Sequence, residues 1–69
     1  NPKKEKSHEQ KINDFSLAIV RHNAEKGSEF KGWKLYDVRG VKIVSSNVKN
    51  AVKIFTRVMK ENDLAETDF

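Results

Sequence analysis

The apolar residues of this chain recur with two different periods, one helical and one typical of strands. In residues 47–62 they recur every three or four positions, as on one side of an amphipathic helix. The residues of this face are Val48, Ala51, Val52, Phe55, Val58 and Met59. Just before it, Ser45, Ser46 and Asn47 can accept hydrogen bonds from the free amides of a first helical turn. We therefore predict a helix over residues 47–62.

An earlier repeat predicts another helix over residues 7–26. Ser7 and Gln10 have the spacing of a capping box, in which each side chain bonds the main-chain amide of the other. Gly27 is placed to end this helix in a left-handed conformation. The expected core face contains Ile12, Phe15, Ala18 and Ile19. A second apolar face contains Leu17, Val20 and Ala24, which indicates that the helix is covered from two directions, by this chain or by another.

Between the two helices, residues 32–45 are predicted to form a β-hairpin. Asp37 and Gly40 fit the first and fourth positions of a type I turn, and a left-handed Gly40 would make this a three-residue loop with a bulge. That register pairs Leu35 with Ile43. The core face would then carry Trp33, Leu35 and Ile43. The outer face would carry Lys34, Tyr36, Lys42 and Val44.

These elements predict one small α+β domain. A two-stranded ribbon is marginal alone and must pack on the helices, which gives a two-layer helix–β-hairpin–helix (α-β-β-α) fold over residues 7–62. Residues 1–6 are predicted to form a disordered basic arm, and residues 63–69 a flexible acidic tail.

Two groups of proteins share this order of elements. The order strand, polar cap, helix in residues 41–60 is similar in outline to the arm-binding domains of phage integrases, although those use a three-stranded sheet. The helix–hairpin–helix order resembles the small head-completion proteins of tailed phages. Both are resemblances of architecture, without a shared residue motif.

Positive charge is concentrated in residues 31–60. That segment has eight lysines and arginines and one acid, Asp37, so its charge is 8 − 1 = +7, against a formal +4 for the whole chain. A small domain with clustered positive charge attracts polyanions. On the predicted second helix, four cations form a strip opposite the apolar face: Lys49, Lys53, Arg57 and Lys60. Like charges one turn apart destabilise a helix, so a bound anion is one explanation and a solvated face of good helix formers is the other.

The outer face of the predicted hairpin is a second basic surface. Tyr36 would lie there between Lys34 and Lys42, with Arg39 at the turn. A two-stranded ribbon can enter the DNA major groove, and a tyrosine can stack on a base or bond a phosphate. Alternatively, lysines on strands serve to prevent edge-to-edge pairing. Whether hairpin and helix form one basic surface depends on how the helix crosses the hairpin.

The predicted function is that of a non-enzymatic nucleic-acid-binding module, with DNA favoured over RNA. The predicted contact residues are Lys34, Tyr36, Arg39, Lys42, Lys49, Lys53, Arg57 and Lys60. The alternative is a protein–protein interaction or assembly module, phage-type or regulatory, that uses the second apolar face of the first helix to bind another protein or a second copy of itself. Membrane attachment is not expected, because the apolar face of the second helix is committed to the core.

No enzymatic or metal site is predicted. The chain has no cysteine, so neither a disulfide nor a thiolate metal site can form. His8 and His22 have no convergent ligands, and no nucleophile–base pair or phosphate-binding glycine loop is present. We therefore expect no catalytic residue and no cofactor. A cysteine-free chain without a visible signal peptide is expected inside the cell, in the cytoplasm, nucleoid or nucleus.

Overall fold

The computed structural model describes residues 5–29 and 32–69, except the side chains of residues 28 and 29. The elements in order are α1 His8–Glu29, β1 Lys34–Val38, β2 Val41–Ser45, α2 Val48–Glu61 and a 3₁₀ helix Glu66–Asp68. The two strands form an antiparallel hairpin. The predicted α+β fold in the order α-β-β-α is confirmed. Residues 1–4 of the predicted arm lie outside the described residues.

α1 begins as predicted, but only one of the two hydrogen bonds of its capping box forms. The amide of Gln10 donates to Ser7 Oγ at 3.1 Å, which confirms Ser7 as the cap. The side chain of Gln10 does not return to Ser7 but donates to Asp14 Oδ1 at 2.9 Å. Gln10 therefore stabilises the first turn through its hydrogen bond to Asp14, four residues further along the helix.

The end of α1 differs from the prediction. The helix continues to Glu29, so Gly27 is an ordinary helical residue and not the terminator. The left-handed glycine is Gly32, with φ 92°, immediately before the hairpin. Glycine inside a helix is destabilising relative to alanine, but α1 continues through Gly27.

α2 agrees with the prediction to within one residue at each end. Asn47 is its cap, and its Oδ1 accepts from the amide of Asn50 at 2.8 Å. Ser45 is fully buried, and its hydroxyl donates to the carbonyl of Asn47 at 2.9 Å. Asn47 therefore caps the helix as predicted, whereas Ser45 donates to a carbonyl and Ser46 Oγ accepts from the side chain of Asn50 at 2.8 Å.

The register of the hairpin differs from the prediction by one residue. Val38 pairs with Val41, so Arg39 and Gly40 alone form the turn. Both have positive φ, 51° and 84°, as in a type I′ turn, whose twist matches that of the strands. Asp37 Oδ1 accepts from the amide of Gly40 at 2.9 Å and closes the loop. The predicted bulged three-residue loop is therefore wrong.

A shift of one residue exchanges the two faces of β1. Tyr36 lies opposite Ile43 and packs against the core, whereas Leu35 lies opposite Val44 and is 60% exposed. The predicted positions of Leu35 in the core and Tyr36 on the outer face are therefore wrong. Trp33, also predicted in the core, is only half-buried.

The core lies between the inner face of the hairpin and the helices. Its buried apolar residues are Phe15, Ile19, Val38, Ile43, Ala51, Phe55, Val58, Met59 and Leu64. The helical members are those that the periodicity predicts. Val48 and Val52, which the same periodicity assigned to the core face of α2, are 59% and 47% exposed.

α1 covers the free edge of β2. Asn23 donates from its side chain to the carbonyl of Lys42 at 2.8 Å and accepts from the amide of Val44 at 2.8 Å. His22 Nε2 lies 2.9 Å from the carbonyl of Val44 and donates to it. These bonds occupy main-chain groups that another strand could otherwise use.

The chain after α2 packs onto the core. Leu64 is buried, and the ring of Phe69 lies 4.8 Å from that of Phe15 and 4.9 Å from that of Phe55. Asp63 forms an ion pair with Lys11 at 2.9 Å. Two apolar residues among the acids thus provide surface to bury, and the flexibility of residues 63–69 remains a prediction.

Candidate nucleic-acid interface

The basic strip consists of four exposed cations on the side of α2 that faces away from the hairpin. Its members are Lys49, Lys53, Arg57 and Lys60. At about 100° per residue they fall within an arc of about 80°. The opposite side of α2 carries Ala51, Phe55, Val58 and Met59, which are buried against the rest of the domain. The strip therefore projects into solvent along the whole helix.

The basic strip is not neutralised by any ion pair among the described residues. Within residues 5–29 and 32–69 none of its four cations takes part in an ion pair or a side-chain hydrogen bond. Three other lysines are paired at short distance: Lys6 with Asp14 at 2.7 Å, Lys11 with Asp63 at 2.9 Å and Lys42 with Asp37 at 3.0 Å. The strip thus presents four uncompensated charges on one helix face, whereas these three lysines are neutralised.

Two of the three acids after α2 contact α1. Asp63 bonds Lys11, and Asp68 Oδ1 lies 3.6 Å from Nδ1 of His8. Asp68 also accepts from the amide of Ala65 at 2.7 Å. These contacts engage Asp63 and Asp68 with groups outside the basic strip.

The length of the basic strip suits a linear polyanion. From Lys49 to Lys60 the helix rises about 16 Å at 1.5 Å per residue. Over that length a DNA duplex carries about ten phosphate charges, one per 1.7 Å of its axis. Four long and flexible cationic side chains can therefore each reach a different phosphate.

The hairpin cations do not form a common surface. Lys42 lies on the outer face, where Asp37 neutralises it, whereas Lys34 alternates onto the opposite face of β1. At the turn, Nη2 of Arg39 lies 3.4 Å from the carbonyl of Glu66. The predicted outer face of Lys34, Tyr36 and Lys42 is therefore not assembled, and Tyr36 packs against the core.

Two carboxylates beside lysines are held in their charged form. Hydrogen bonds from Lys42 and from the amide of Gly40 lower the pKa of Asp37 below its ordinary value of 3.8. Hydrogen bonds from Lys6 and Gln10 lower the pKa of Asp14 in the same way. Both anions are therefore committed to their own cations and do not compensate the basic strip.

An apolar row lies directly beside the basic strip on α2. Val48, Val52 and Thr56 are spaced four residues apart, and each precedes a member of the strip by one position. The two valines are largely exposed and Thr56 is half-buried. This row is not apparent from the sequence, because Val48 and Val52 continue the apolar period of the core face.

Comparison with known proteins assigns no family to this surface. No protein-family model, curated protein or solved structure matches the chain. Over the described ranges, neither helix is long and apolar enough to cross a membrane. In the same ranges no cluster of three or more histidines and carboxylates could hold a metal ion. The function is therefore argued from the exposure, charge and spacing of the residues of α2.

Proposed function

We propose that this domain binds nucleic acid through the basic strip of α2 and catalyses no reaction. The observation that carries the proposal is that four exposed cations share one face of α2 without an ion pair to any described residue. Like charges three or four residues apart cost a helix about 0.2–0.5 kcal/mol per pair. A bound polyanion removes this repulsion and adds the free energy of counterion release.

The proposal rests on α2 alone. Lys42 is paired with Asp37, Arg39 lies beside the carbonyl of Glu66, and Lys34 is on the face of β1 opposite Lys42, so the proposal does not include them. Since the other side of α2 is buried against the hairpin and α1, the strip can meet a ligand without rearrangement of the core. DNA is favoured over RNA as the ligand.

Charge reversal on α2 tests the proposal. Fluorescence anisotropy with a short labelled duplex at low salt should show binding by the wild type and its loss in the double variant Lys53→Glu/Arg57→Glu. Both residues are exposed, so circular dichroism should show an unchanged fold.

Arg21→Glu is the matched control for Arg57→Glu. Arg21 is exposed on α1, is unpaired in the described part of the chain, and its reversal changes the net charge by the same amount. Arg57→Glu should weaken binding far more than Arg21→Glu. Equal losses in both variants, or unchanged binding by the double variant, would rule out a site on α2.

A second candidate function is assembly with a protein through the second apolar face of α1. Leu17 is 49% and Val20 61% exposed, and Ala24 is exposed beside them. Ile54, at the edge of the basic strip, packs against the core and does not extend this face. Leu17→Lys should then dissociate the complex in sedimentation, whereas Leu35→Lys on the hairpin should not. A strict monomer whose partner binding survives Leu17→Lys would exclude this candidate.

A further inference from the structure

From the apolar row beside the basic strip, we infer that α2 enters the major groove of duplex DNA and contacts thymine methyl groups. This inference rests on the proposed function and specifies its ligand. The basic strip contacts phosphates of one strand, and Val48, Val52 and Thr56 face the floor of the groove.

The exposure of the two valines is the first argument. A β-branched residue is a weaker helix former than alanine or lysine, because its side chain loses rotamer freedom against the preceding turn. Val48 and Val52 are nevertheless 59% and 47% exposed on α2. The core closes over Ala51 and Phe55 without them. Their apolar surface is therefore available to a ligand.

The position of the row relative to the charges is the second argument. On a helix, residues four apart form a ridge, and ridges offset by one residue lie side by side. The ridge Val48–Val52–Thr56 therefore runs beside the ridge Lys49–Lys53–Arg57 for about 12 Å. A ligand that contacts both ridges must present an apolar strip beside a row of negative charges.

The major groove of DNA has this arrangement. It is about 12 Å wide, which admits a helix of about 10–12 Å diameter, and every thymine places a methyl group on its floor beside the phosphate backbone. Valine and the methyl group of threonine contact that group through apolar surface. A-form RNA offers neither feature, since its major groove is too narrow for side chains to read and uracil lacks the methyl. The charge of the strip and the apolar row together therefore favour duplex DNA.

Replacement of thymine by deoxyuridine isolates the methyl contact. Two duplexes of the same AT-rich sequence, one with thymine and one with deoxyuridine, differ only in the 5-methyl groups. Wild type should bind the thymine duplex more tightly, by about fourfold for each methyl group that is buried. Val52→Ser should reduce this preference, whereas Val20→Ser, at an exposed valine of α1, should keep it.

The outcomes separate the inference from the function on which it rests. Equal affinity of the wild type for both duplexes, with loss of binding to both in Lys53→Glu/Arg57→Glu, would overturn the methyl contact and keep nucleic-acid binding. An RNA duplex of the same sequence that binds as tightly as the thymine duplex would overturn the major-groove assignment. Failure of the wild type to bind any of the three duplexes would overturn both proposals.

Discussion

At the scale of single residues, Arg39 and Gly40 decide which side of β1 faces the core. Both adopt left-handed backbone conformations, which glycine accepts without strain and other residues do not. With both in the turn, Val38 meets Val41 and Tyr36 points inward. If only Gly40 were left-handed, the loop would be one residue longer, and Leu35 instead of Tyr36 would face the core.

Gly40→Ala should lower the free energy of unfolding by about 1 kcal/mol, because a left-handed alanine costs about 1–2 kcal/mol and the stiffer unfolded chain offsets part of it. No atom lies within 4 Å of the position that its Cβ would take, so the loss comes from the backbone alone. Gly27→Ala is the control: its Cβ is equally unobstructed but helical, and it should stabilise the domain. Urea denaturation measures both, and equal signs would contradict this account of the turn.

Asp37 should make the stability of the domain sensitive to acid. Its pKa is lower in the folded state, because Lys42 and the amide of Gly40 bond the carboxylate. The carboxylate therefore stabilises the fold above the ordinary pKa of 3.8, and this contribution is lost as pH falls through the lower folded-state pKa. In urea titrations across that range, Asp37→Asn should lose less stability on acidification than wild type. A carboxyl titration by NMR with its midpoint at or above 3.8 would contradict the assignment.

At the scale of elements, α1 takes the place of a third strand. A two-stranded hairpin has two open edges, and one is closed here by the side chains of Asn23 and His22. Asn23 alone supplies a donor and an acceptor to β2, as a neighbouring strand would. This contact fixes the position of α1 along the hairpin in addition to the packing of Phe15 and Ile19.

Asn23→Ala should lower the free energy of unfolding by about 1–2 kcal/mol, because the amide of Val44 and the carbonyl of Lys42 lose their partner. Asn13→Ala, at an exposed position of the same helix, should change it by less than about 0.5 kcal/mol. Denaturation with urea gives both values, and hydrogen exchange at the amide of Val44 should accelerate only in the first variant. Unchanged exchange there would show that Asn23 does not hold the edge.

The limits of prediction from this sequence follow from what each pattern encodes. Helical periodicity and caps are local, so both helices, Ser7 and Asn47 were predictable. The turn was not, because Asp37 and Gly40 fit either loop and the left-handed Arg39 runs against its propensity. A slip of one residue then reverses both faces, which displaced Leu35 and Tyr36.

The exposure of the apolar row of α2 could not be predicted from periodicity either. Val48 and Val52 continue the core period, and only the contacts of the folded chain leave them in solvent. The basic strip was predictable because it lies opposite that period. The lack of ion pairs on the strip was not predictable, because it depends on where acids elsewhere in the chain are placed by the fold.

At the scale of the whole molecule, the chain after α2 contributes apolar residues to the core. Phe69 completes a cluster with Phe15 and Phe55, whose own rings lie 5.4 Å apart. Leu64 is only 7% exposed. A domain of this size has a small core, so each such residue is a large part of its stability.

Leu64→Ala should lower the free energy of unfolding by about 2–5 kcal/mol, as buried leucines do when truncated. Thr67→Ala, at an exposed position nearby, should have an effect below about 0.5 kcal/mol. Thermal denaturation compares the two midpoints. Identical midpoints would show that the segment after α2 is not part of the folded unit.

The charges of the molecule are distributed unevenly between α2 and the rest of the domain. Around α1 and the hairpin, Asp14, Asp37 and Asp63 each bond a lysine. On α2, four exposed cations share one face without an ion pair to any described residue. This asymmetry is the basis of the account of function.

The most direct test of that account is the salt dependence of duplex DNA binding. Four phosphate contacts predict that log Kobs falls with log salt concentration at a slope of about −3.6, at about 0.9 per contact. Lys53→Ala and Arg57→Ala should each reduce the magnitude of the slope by about 0.9, and Arg21→Ala should leave it unchanged. A slope that none of these substitutions alters, or that Arg21→Ala alters as much as Arg57→Ala, would contradict phosphate binding by the basic strip.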